Sequence, residues 1–277
     1  MERKTGASKP IGGCMKVIDL PDGQENAYFK CLEEWSPEMQ DAGSLKEQWY
    51  RKMKDAGLRV KVAVDEQGTI GGMIHYGPIE HVAVHGEGMY YMYCVWVHGH
   101  RQGRGNFQKK GMGKALLQAA EEDVRLLGGK ALVVWGLSIP VFMKASWFRR
   151  QGYRPVDRIG MQVLLWKPFT RDAVPPKWAR PQRKPEVEKG KVTVTCLRNG
   201  WCPGQNMVYE RARRAAGELG DKVVFKEVDT FDRDVGLEWG TLDALFVDRK
   251  QVRTGPPPSY DKIRSMLEKK VRRLPTA

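Results

Sequence analysis

Long apolar runs and paired cysteines are scarce in this chain of 277 residues. No stretch approaches the roughly 20 apolar residues that a membrane-spanning helix needs, so a membrane protein is not expected. The N-terminus is basic and has no apolar core, so we expect a flexible tail over residues 1–14 rather than a secretory signal, and a cytoplasmic location. The cysteines favour a reducing compartment over a disulfide framework and show no zinc-ligand spacing, because they are odd in number and scattered: Cys14, Cys31, Cys94, Cys196 and Cys202.

Positive charge is what the sequence has in excess. Lysine and arginine number 47 against 33 aspartates and glutamates, which gives a formal net charge of +14. Such a charge suggests an anionic partner, namely a nucleotide cofactor, an acidic substrate or RNA, but it serves general solubility equally well. Because the basic residues are spread along the chain, charge alone does not identify nucleic acid as the partner.

Prolines divide the chain into two parts. Five of them fall within residues 168–190, where they remove backbone donors and favour an extended conformation in the residues before them. The pattern predicts a first domain over residues 15–168, a semi-rigid linker over 169–190 and a second domain over 191–277.

Strand and helix signals alternate in the first part. Strand patterns cover 15–19, 58–64, 69–76, 89–97, 131–135 and 161–166, and helical periodicity covers 25–35, 44–55, 113–127 and 141–151. Ser44 is the expected cap of the second helix, with Glu47 completing a capping box. The nearly all-apolar segment 89–97 is typical of a central strand covered on both faces, so the fold class is α/β with a mixed central sheet.

A glycine-rich loop joins this central strand to an amphipathic helix. The loop reads Gln108-Lys109-Lys110-Gly111-Met112-Gly113 and is followed by Lys114. Backbone N–H groups at a helix N-terminus are unpaired and favour an anion, and glycines let the backbone approach it closely. The lysines add positive charge, so the loop predicts a site for a diphosphate.

This loop and helix start resemble those of the GNAT acetyltransferases, whose motif is Q/R-x-x-G-x-G/A, and the resemblance covers about residues 15–168. It implies an α+β GNAT fold, acetyl-CoA as cosubstrate, and direct transfer of the acetyl group to an amine. It also implies that the main chain of Val95 and Val97 holds the pantetheine arm.

Two departures from the family pattern stand out. The segment 98–107 is longer than the usual connection, so Arg101 and Arg104 either reach the 3′-phosphate of the cofactor or an anionic substrate, or belong to a solvated insertion. Phe148 stands where many members carry a tyrosine that protonates the leaving thiolate. A phenyl ring has no proton to donate, so we expect Phe148 only to pack near the thioester.

The catalytic acid and base stay open in the sequence. Glu80, His81, Glu87 and His98 are candidate bases, while Tyr91, Tyr93 and Cys94 are candidate acids that core packing explains equally well. We select Glu87, Tyr93 and Cys94 as the catalytic candidates.

The second part is predicted to have β-α-β-β-β-α order, with a hairpin of strands at 244–247 and 251–254. Trp201-Cys202-Pro203-Gly204-Gln205 resembles the W-C-x-x-C site of thioredoxin-like domains, but Gln205 replaces the second cysteine. Cys202 precedes a helix N-terminus, which favours a thiolate, and Cys196 is a possible partner thiol. The combination of the two domains resembles the YoaP-like acetyltransferases.

These features predict a cytoplasmic N-acetyltransferase that acts on an amine-bearing small molecule or peptide. Two alternatives are a non-catalytic coenzyme A-binding protein that docks on RNA or a ribonucleoprotein, and a thiol redox protein that uses Cys202. A steep salt dependence of RNA binding favours the first alternative, and a low thiol pKa favours the second.

Overall fold

The computed structural model describes residues 15–252 and 256–275. The predicted N-terminal tail with Cys14 and residues 253–254 of the predicted hairpin lie outside this part of the chain. No helix among the described residues is both long enough and apolar enough to cross a bilayer.

A seven-stranded sheet forms the centre of the first domain. Its strands are β1 (Lys16–Asp19), β2 (Arg59–Val64), β3 (Ile70–Pro78), β5 (Tyr90–Val97), β6 (Ala131–Leu137), β7 (Arg154–Ile159) and β8 (Gln162–Pro168), while the two-residue β4 (Val84–His85) lies outside it. The strand order is β1-β2-β3-β5-β6-β8-β7. β5 and β6 run parallel and the other neighbouring pairs are antiparallel, which confirms the predicted mixed sheet.

Helices cover both faces of this sheet. α1 (Glu25–Phe29) and α2 (Pro37–Asp55) pack on one face, where Trp49, Met53 and Val62 belong to the same buried core. α3 (Met112–Leu126) and α4 (Ala145–Arg150) pack on the other face, where the core includes Leu116 and Leu165. The two faces are called the α2 face and the α3 face below.

Helix boundaries in the first domain differ from the predicted ones. The helix predicted over 25–35 ends at Phe29, because Cys31 and Leu32 adopt left-handed φ angles of 49° and 63°. α2 begins at Pro37 after the N-cap Ser36, so the predicted cap Ser44 lies within the helix. The helix predicted over 141–151 is limited to α4, and the polar edge strand β7 was not predicted.

The second domain contains a four-stranded sheet in the order β11-β10-β12-β13. Its strands are β10 (Val192–Arg198), β11 (Val223–Asp229), β12 (Ala244–Val247) and β13 (Lys250–Gln251), and its helices are α5 (Pro203–Glu218), α6 (Arg233–Trp239) and α7 (Tyr260–Val271). β10 and β11 are parallel, and β12 runs antiparallel to β10. The predicted order of strands and helices is present, with α6 as an additional helix, but the hairpin strand predicted over 251–254 is β13 at Lys250–Gln251.

The linker and helix α5 hold the two domains against each other. Linker strand β9 (Lys177–Trp178) pairs with β4, and further along the linker the Gln182 amide donates to the Glu238 carbonyl at 2.8 Å. The Asn206 amide on α5 donates to the Ala42 carbonyl on α2 at 3.1 Å. The loop before α5 therefore lies on the α2 face of the first domain.

Candidate active site

The N-terminus of α3 is open to a ligand. Its N-cap is Gly111 with φ +87°, no side chain caps it, and its first turn contains no acidic residue. A Cβ atom at Gly111 would meet no atom within 4 Å. The first amides of this 15-residue helix therefore present unpaired donors and the positive end of the helix dipole to open space.

The residues of the loop suit a diphosphate. Lys109, Lys110 and Lys114 are exposed around the helix N-terminus, and Gln108 turns its side chain back to donate to the Val97 carbonyl at 3.4 Å. Met112 is buried in the core, so only its main chain is available to a ligand. The loop therefore fits the diphosphate of acetyl-CoA, because it offers unpaired amides and three lysines and the first turn of α3 has no competing carboxylate.

Strands β5 and β6 separate directly beside this helix. Their parallel pairing is limited to Tyr90, Tyr91 and Met92 with residues 132–134, although β5 continues to Val97 and β6 to Leu137. On its other side β5 stays paired with β3 as far as Val97. The segment Cys94–Val97 therefore has one strand edge without a β6 partner, as the predicted role of the Val95 and Val97 main chain requires.

A β-bulge marks the point where the strands part. The register between β3 and β5 shifts so that Tyr93 is the extra residue between the pairs of Met92 and Cys94. The Trp135 indole of β6 reaches across and donates to the Tyr93 carbonyl at 2.7 Å. The open part of the β5 edge thus begins just beyond Tyr93 and ends next to Gly113, because a Cβ at Gly113 would lie 3.7 Å from the Val97 side chain.

Phe148 does not line this groove, which corrects the predicted contact with the cofactor. Its side chain is fully buried and packs edge-on against Trp147 and Tyr153, with ring centroids 4.9 and 5.9 Å away. The preceding Trp147 is half-buried, and its ring would lie 3.8 Å from a Cβ at Gly113. The helical turn of α4 therefore turns Trp147 toward the loop and Phe148 into the core.

The structure separates the three catalytic candidates. Glu87 is exposed and lies before Tyr90, at the paired end of β5, so the strand length places it on the order of 20 Å from the open end. This position argues against Glu87 as the base. Tyr93 and Cys94 lie at the bulge and both are buried, and Tyr93 belongs to the core on the α2 face. Burial raises the pKa of both groups, so each is protonated at neutral pH.

The long segment after β5 is anchored to the loop between α1 and α2. Arg104 pairs with Glu34 and donates to the Ile70 carbonyl at 3.2 Å, so it is engaged within the protein and does not extend toward a cofactor phosphate. Arg101 is exposed. His98 is fully buried and its Nδ1 lies 2.7 Å from the Gly105 carbonyl. Glu33, which the sequence analysis did not select, lies 3.8 Å from His100, and burial raises its pKa.

Sequence reasoning also missed an aromatic cluster on the α2 side of the opening. Phe142, 42% exposed, packs against Trp96 and Trp135 with ring centroids 5.8 and 6.0 Å apart. Trp96 and Trp135 were assigned to buried strands, and Phe142 to a helix. The separation of β5 from β6 brings the three rings together, and no local sequence signal indicates that separation.

The two predicted redox thiols, Cys196 and Cys202, have different environments. Cys196 is 2% exposed in the core under α5, and burial raises its pKa strongly. Cys202 is half-buried at the N-cap of α5, where Trp201 beside it contacts His75 and Tyr93 of the first domain at ring distances of 5.9 and 5.8 Å. Cys202 therefore faces the first domain.

Within residues 15–252 and 256–275, no group of three or more His, Cys, Asp or Glu residues is arranged to hold a metal ion.

Residues 22–153 match the model of the acetyltransferase (GNAT) family, slightly less than half of the chain. This stretch contains the loop, the helix α3 and the separated strands described above. The match shows that this stretch is similar to GNAT acetyltransferases, and it supports an acyltransferase with acetyl-CoA as its cosubstrate. No curated protein sequence matches the chain.

Solved structures that are similar to the chain include three acetyltransferases. A GNAT-family acetyltransferase from Brucella melitensis in complex with acetyl-CoA is 19% identical (TM-score 0.40) over 59% of this chain and 93% of the other. The GNAT-family N-acetyltransferase YhbS from Escherichia coli, in complex with CoA, is 14% identical (TM-score 0.43) over 62% and 93%. The PaiA N-acetyltransferase from Thermoplasma acidophilum, in complex with coenzyme A, is 13% identical (TM-score 0.41) over 56% and 99%.

Proposed function

We propose that this acetyltransferase domain transfers the acetyl group of acetyl-CoA directly to an amine of a small molecule or peptide. The observation that carries the proposal is the unpaired β5 edge that opens beside the uncapped N-terminus of α3. The free donors and acceptors of a strand edge suit a ligand with an amide-containing arm. The adjacent helix N-terminus favours an anion, so it suits the diphosphate of the same ligand.

Each part of the groove has its own task. The main chain of residues 108–114 and the three lysines bind the diphosphate, and the edge of Val95 and Val97 orients the pantetheine arm. Trp147 lies beside Gly113 and excludes water from the α4 side. When bound, acetyl-CoA supplies an activated acyl group, and the direction of the groove from Gly113 to Tyr93 places that group toward the bulge.

The acceptor amine enters from the α2 side. Trp96, Trp135 and Phe142 line the opening there, and aromatic faces suit both apolar groups and ammonium ions. Tyr93 and Cys94 lie at the bulge where the strands part. Holding the amine at this point, next to the acyl group, lowers the barrier mainly by orientation and proximity.

The second domain, which resembles thioredoxin-like domains and the YoaP-like module, forms a wall of the acceptor side. Its Trp201 packs on Tyr93 and His75, and the Trp201 indole is hydrogen-bonded to Asp243 in the second domain. We assign this domain a role in orienting the acceptor, because it contacts the α2 face and not the α3 N-terminus.

The acceptor route is tested by Phe142→Ala with Val141→Ala as the control. Both residues are exposed apolar side chains of the same loop, but Phe142 contacts the two tryptophans. With an acceptor found by screening amines and peptides by mass spectrometry, we expect Phe142→Ala to raise the acceptor KM about tenfold, the scale of one buried apolar contact, with the acetyl-CoA Kd unchanged. An unchanged KM would show that acceptors do not pass this cluster, and a panel without any acetylated amine would contradict the proposed activity.

A further inference from the structure

A lysine is fully buried where the two domains meet. The Lys46 ammonium on α2 donates to the Tyr28 carbonyl at 2.8 Å and to the Cys31 thiol at 3.4 Å, and it lies 3.7 Å from the centre of the Tyr28 ring. Among the described residues, no carboxylate lies within ion-pair distance of Lys46. Burial raises the pKa of the Cys31 thiol, and the charge and hydrogen bond of the Lys46 ammonium oppose that effect by stabilising the thiolate form.

A left-handed turn places the Cys31 thiol beside this lysine. Cys31 and Leu32 are two consecutive non-glycine residues with left-handed φ angles, an uncommon arrangement that persists only where surrounding contacts hold it. The turn is closed by the amides of Cys31 and Leu32, which donate to the carbonyls of Tyr28 and Ala27 at 3.1 and 2.8 Å. The Tyr28 carbonyl thus accepts from both Lys46 and Cys31, which fixes the sulfur beside the ammonium.

The second domain brings Cys202 to the same place. A Cβ at Gly200 would lie 3.2 Å from the carbonyl of Leu45, the residue before Lys46, and Asn206 bonds Ala42 one turn earlier on α2. Cys202 lies between these two contacts and is half-buried, as Cys31 is. Burial raises the pKa of Cys31 and, together with the nearby Cys31 thiol, raises the pKa of Cys202 to about 12, so the helix N-terminus does not give the thiolate expected from the sequence. The Lys46 charge lowers the pKa of both thiols against this effect.

We propose that Cys31 and Cys202 form a dithiol across the two domains that exchanges with low-molecular-weight disulfides, with Lys46 favouring the attacking thiolate of Cys31. The Cys31 thiolate attacks one sulfur of the small disulfide, forms a mixed disulfide and expels one small thiolate. The Cys202 sulfur, after losing its proton, attacks Cys31 and expels the second small thiolate. The protein loses two electrons and two protons, and the disulfide is reduced to two small thiols.

This pairing replaces the one suggested by the W-C-x-x-C resemblance. Gln205 occupies the place of the second cysteine in that motif, and Cys196 is buried in the core of the second domain. The partner thiol comes from the first domain instead. The activity goes beyond acyl transfer and does not depend on acetyl-CoA.

The test incubates the full chain, in a Cys14→Ser background, with oxidised and reduced glutathione at a series of ratios. Digestion without reductant and mass spectrometry then identify the linked peptides. We expect a Cys31–Cys202 disulfide as the main product, and a mixed disulfide on the remaining cysteine in Cys31→Ser or Cys202→Ser. Linkage of Cys202 to Cys94 or Cys196, or two free thiols at fully oxidising ratios, would overturn the proposal.

Lys46→Met tests the role of the ammonium, with Lys54→Met as the control on the exposed side of the same helix. We expect the rate of disulfide formation to fall about tenfold or more in Lys46→Met and to stay unchanged in the control, since thiolate attacks and thiol does not. A circular dichroism spectrum and an acetyl-CoA titration establish that the variant is folded. An unchanged rate of disulfide formation in folded Lys46→Met would contradict the role assigned to the ammonium. If Lys46→Met does not fold, Lys46→Arg takes its place, and this variant should form the disulfide as fast as wild type. A slow rate in folded Lys46→Arg would also contradict it.

Discussion

Adjacent side chains on α4 have different surroundings. Trp147 lies at the surface of the groove beside Gly113, while Phe148 is fully buried between Trp147 and Tyr153. A one-residue step turns the side chain by roughly 100° on a helix, so one ring faces the loop and the next faces the core. Ligand binding and stability should therefore respond to different members of this pair.

Alanine substitutions should separate these two roles. We expect Trp147→Ala to weaken acetyl-CoA binding with little change in unfolding free energy, because its ring is half-buried beside the loop. Phe148→Ala should cost about 3–5 kcal/mol of stability, the range for a buried phenylalanine. Calorimetric titration measures the acetyl-CoA affinity of both variants, and urea unfolding measures their free energy of unfolding. Equal stability losses, or a larger binding defect in folded Phe148→Ala, would contradict the assignment.

At the level of elements, α3 joins the loop to the core. Leu116, Leu117 and Val124 bury one side of the helix, and its N-terminus stays open between Val97 and Trp147. The loop and this helix were predictable, because the glycine spacing and the apolar periodicity are both local signals. Packing anchors the helix, so the first-turn amides point at a fixed place.

Other features of the site could not be predicted, since they depend on contacts distant in sequence. The left-handed turn at Cys31 contacts Lys46, 15 residues away in the sequence, and the apolar periodicity of residues 25–35 predicts a continuous helix instead. Where β5 separates from β6, the Trp135 indole donates to the Tyr93 carbonyl, 42 residues away in the sequence. The position of Phe148 in the family motif predicts that it packs near the thioester, whereas its position on α4 turns its side chain into the core.

The lysines around α3 predict a salt-dependent affinity. The double variant Lys109→Ala, Lys110→Ala should raise the acetyl-CoA Kd several-fold at low ionic strength, and the difference from wild type should shrink as salt is added, because exposed charges are screened. Calorimetric titrations with acetyl-CoA between about 10 mM and 1 M salt measure this difference in Kd. The linker pair Lys184→Ala, Lys189→Ala is the control, and a salt-independent defect would argue against charge attraction.

For the whole molecule, the contact between the domains places the second domain on the α2 face of the first domain. Trp201 bridges them, since it packs on His75 and Tyr93 and its indole is hydrogen-bonded to Asp243. The Asp243 carboxylate also accepts from the Asn199 amide at 3.2 Å. Burial nevertheless raises the pKa of Asp243 to about 6, so this junction prefers the protonated acid.

The junction therefore has a predicted pH dependence. The raised pKa means that the stabilisation from Asp243 is fully present below its unfolded pKa of about 3.9 and is lost as pH rises through about 6. We expect the unfolding free energy of Asp243→Asn, relative to wild type, to increase between pH 4 and pH 7. Urea unfolding across this range measures it, with exposed Asp261→Asn as control. A pH-independent difference would contradict the shift.

Acetyl transfer depends on acetyl-CoA binding at the N-terminus of α3, and one calorimetric titration tests this binding directly. Gly111→Glu is compared with Gly128→Glu, because both glycines are exposed, have positive φ and leave open space for a side chain, but Gly128 follows the other end of α3. We predict that wild type and Gly128→Glu bind acetyl-CoA tightly. In folded Gly111→Glu the affinity for acetyl-CoA should fall at least about tenfold, because a carboxylate would meet the diphosphate. No binding by wild type, or equal binding by both variants, would contradict the proposed site.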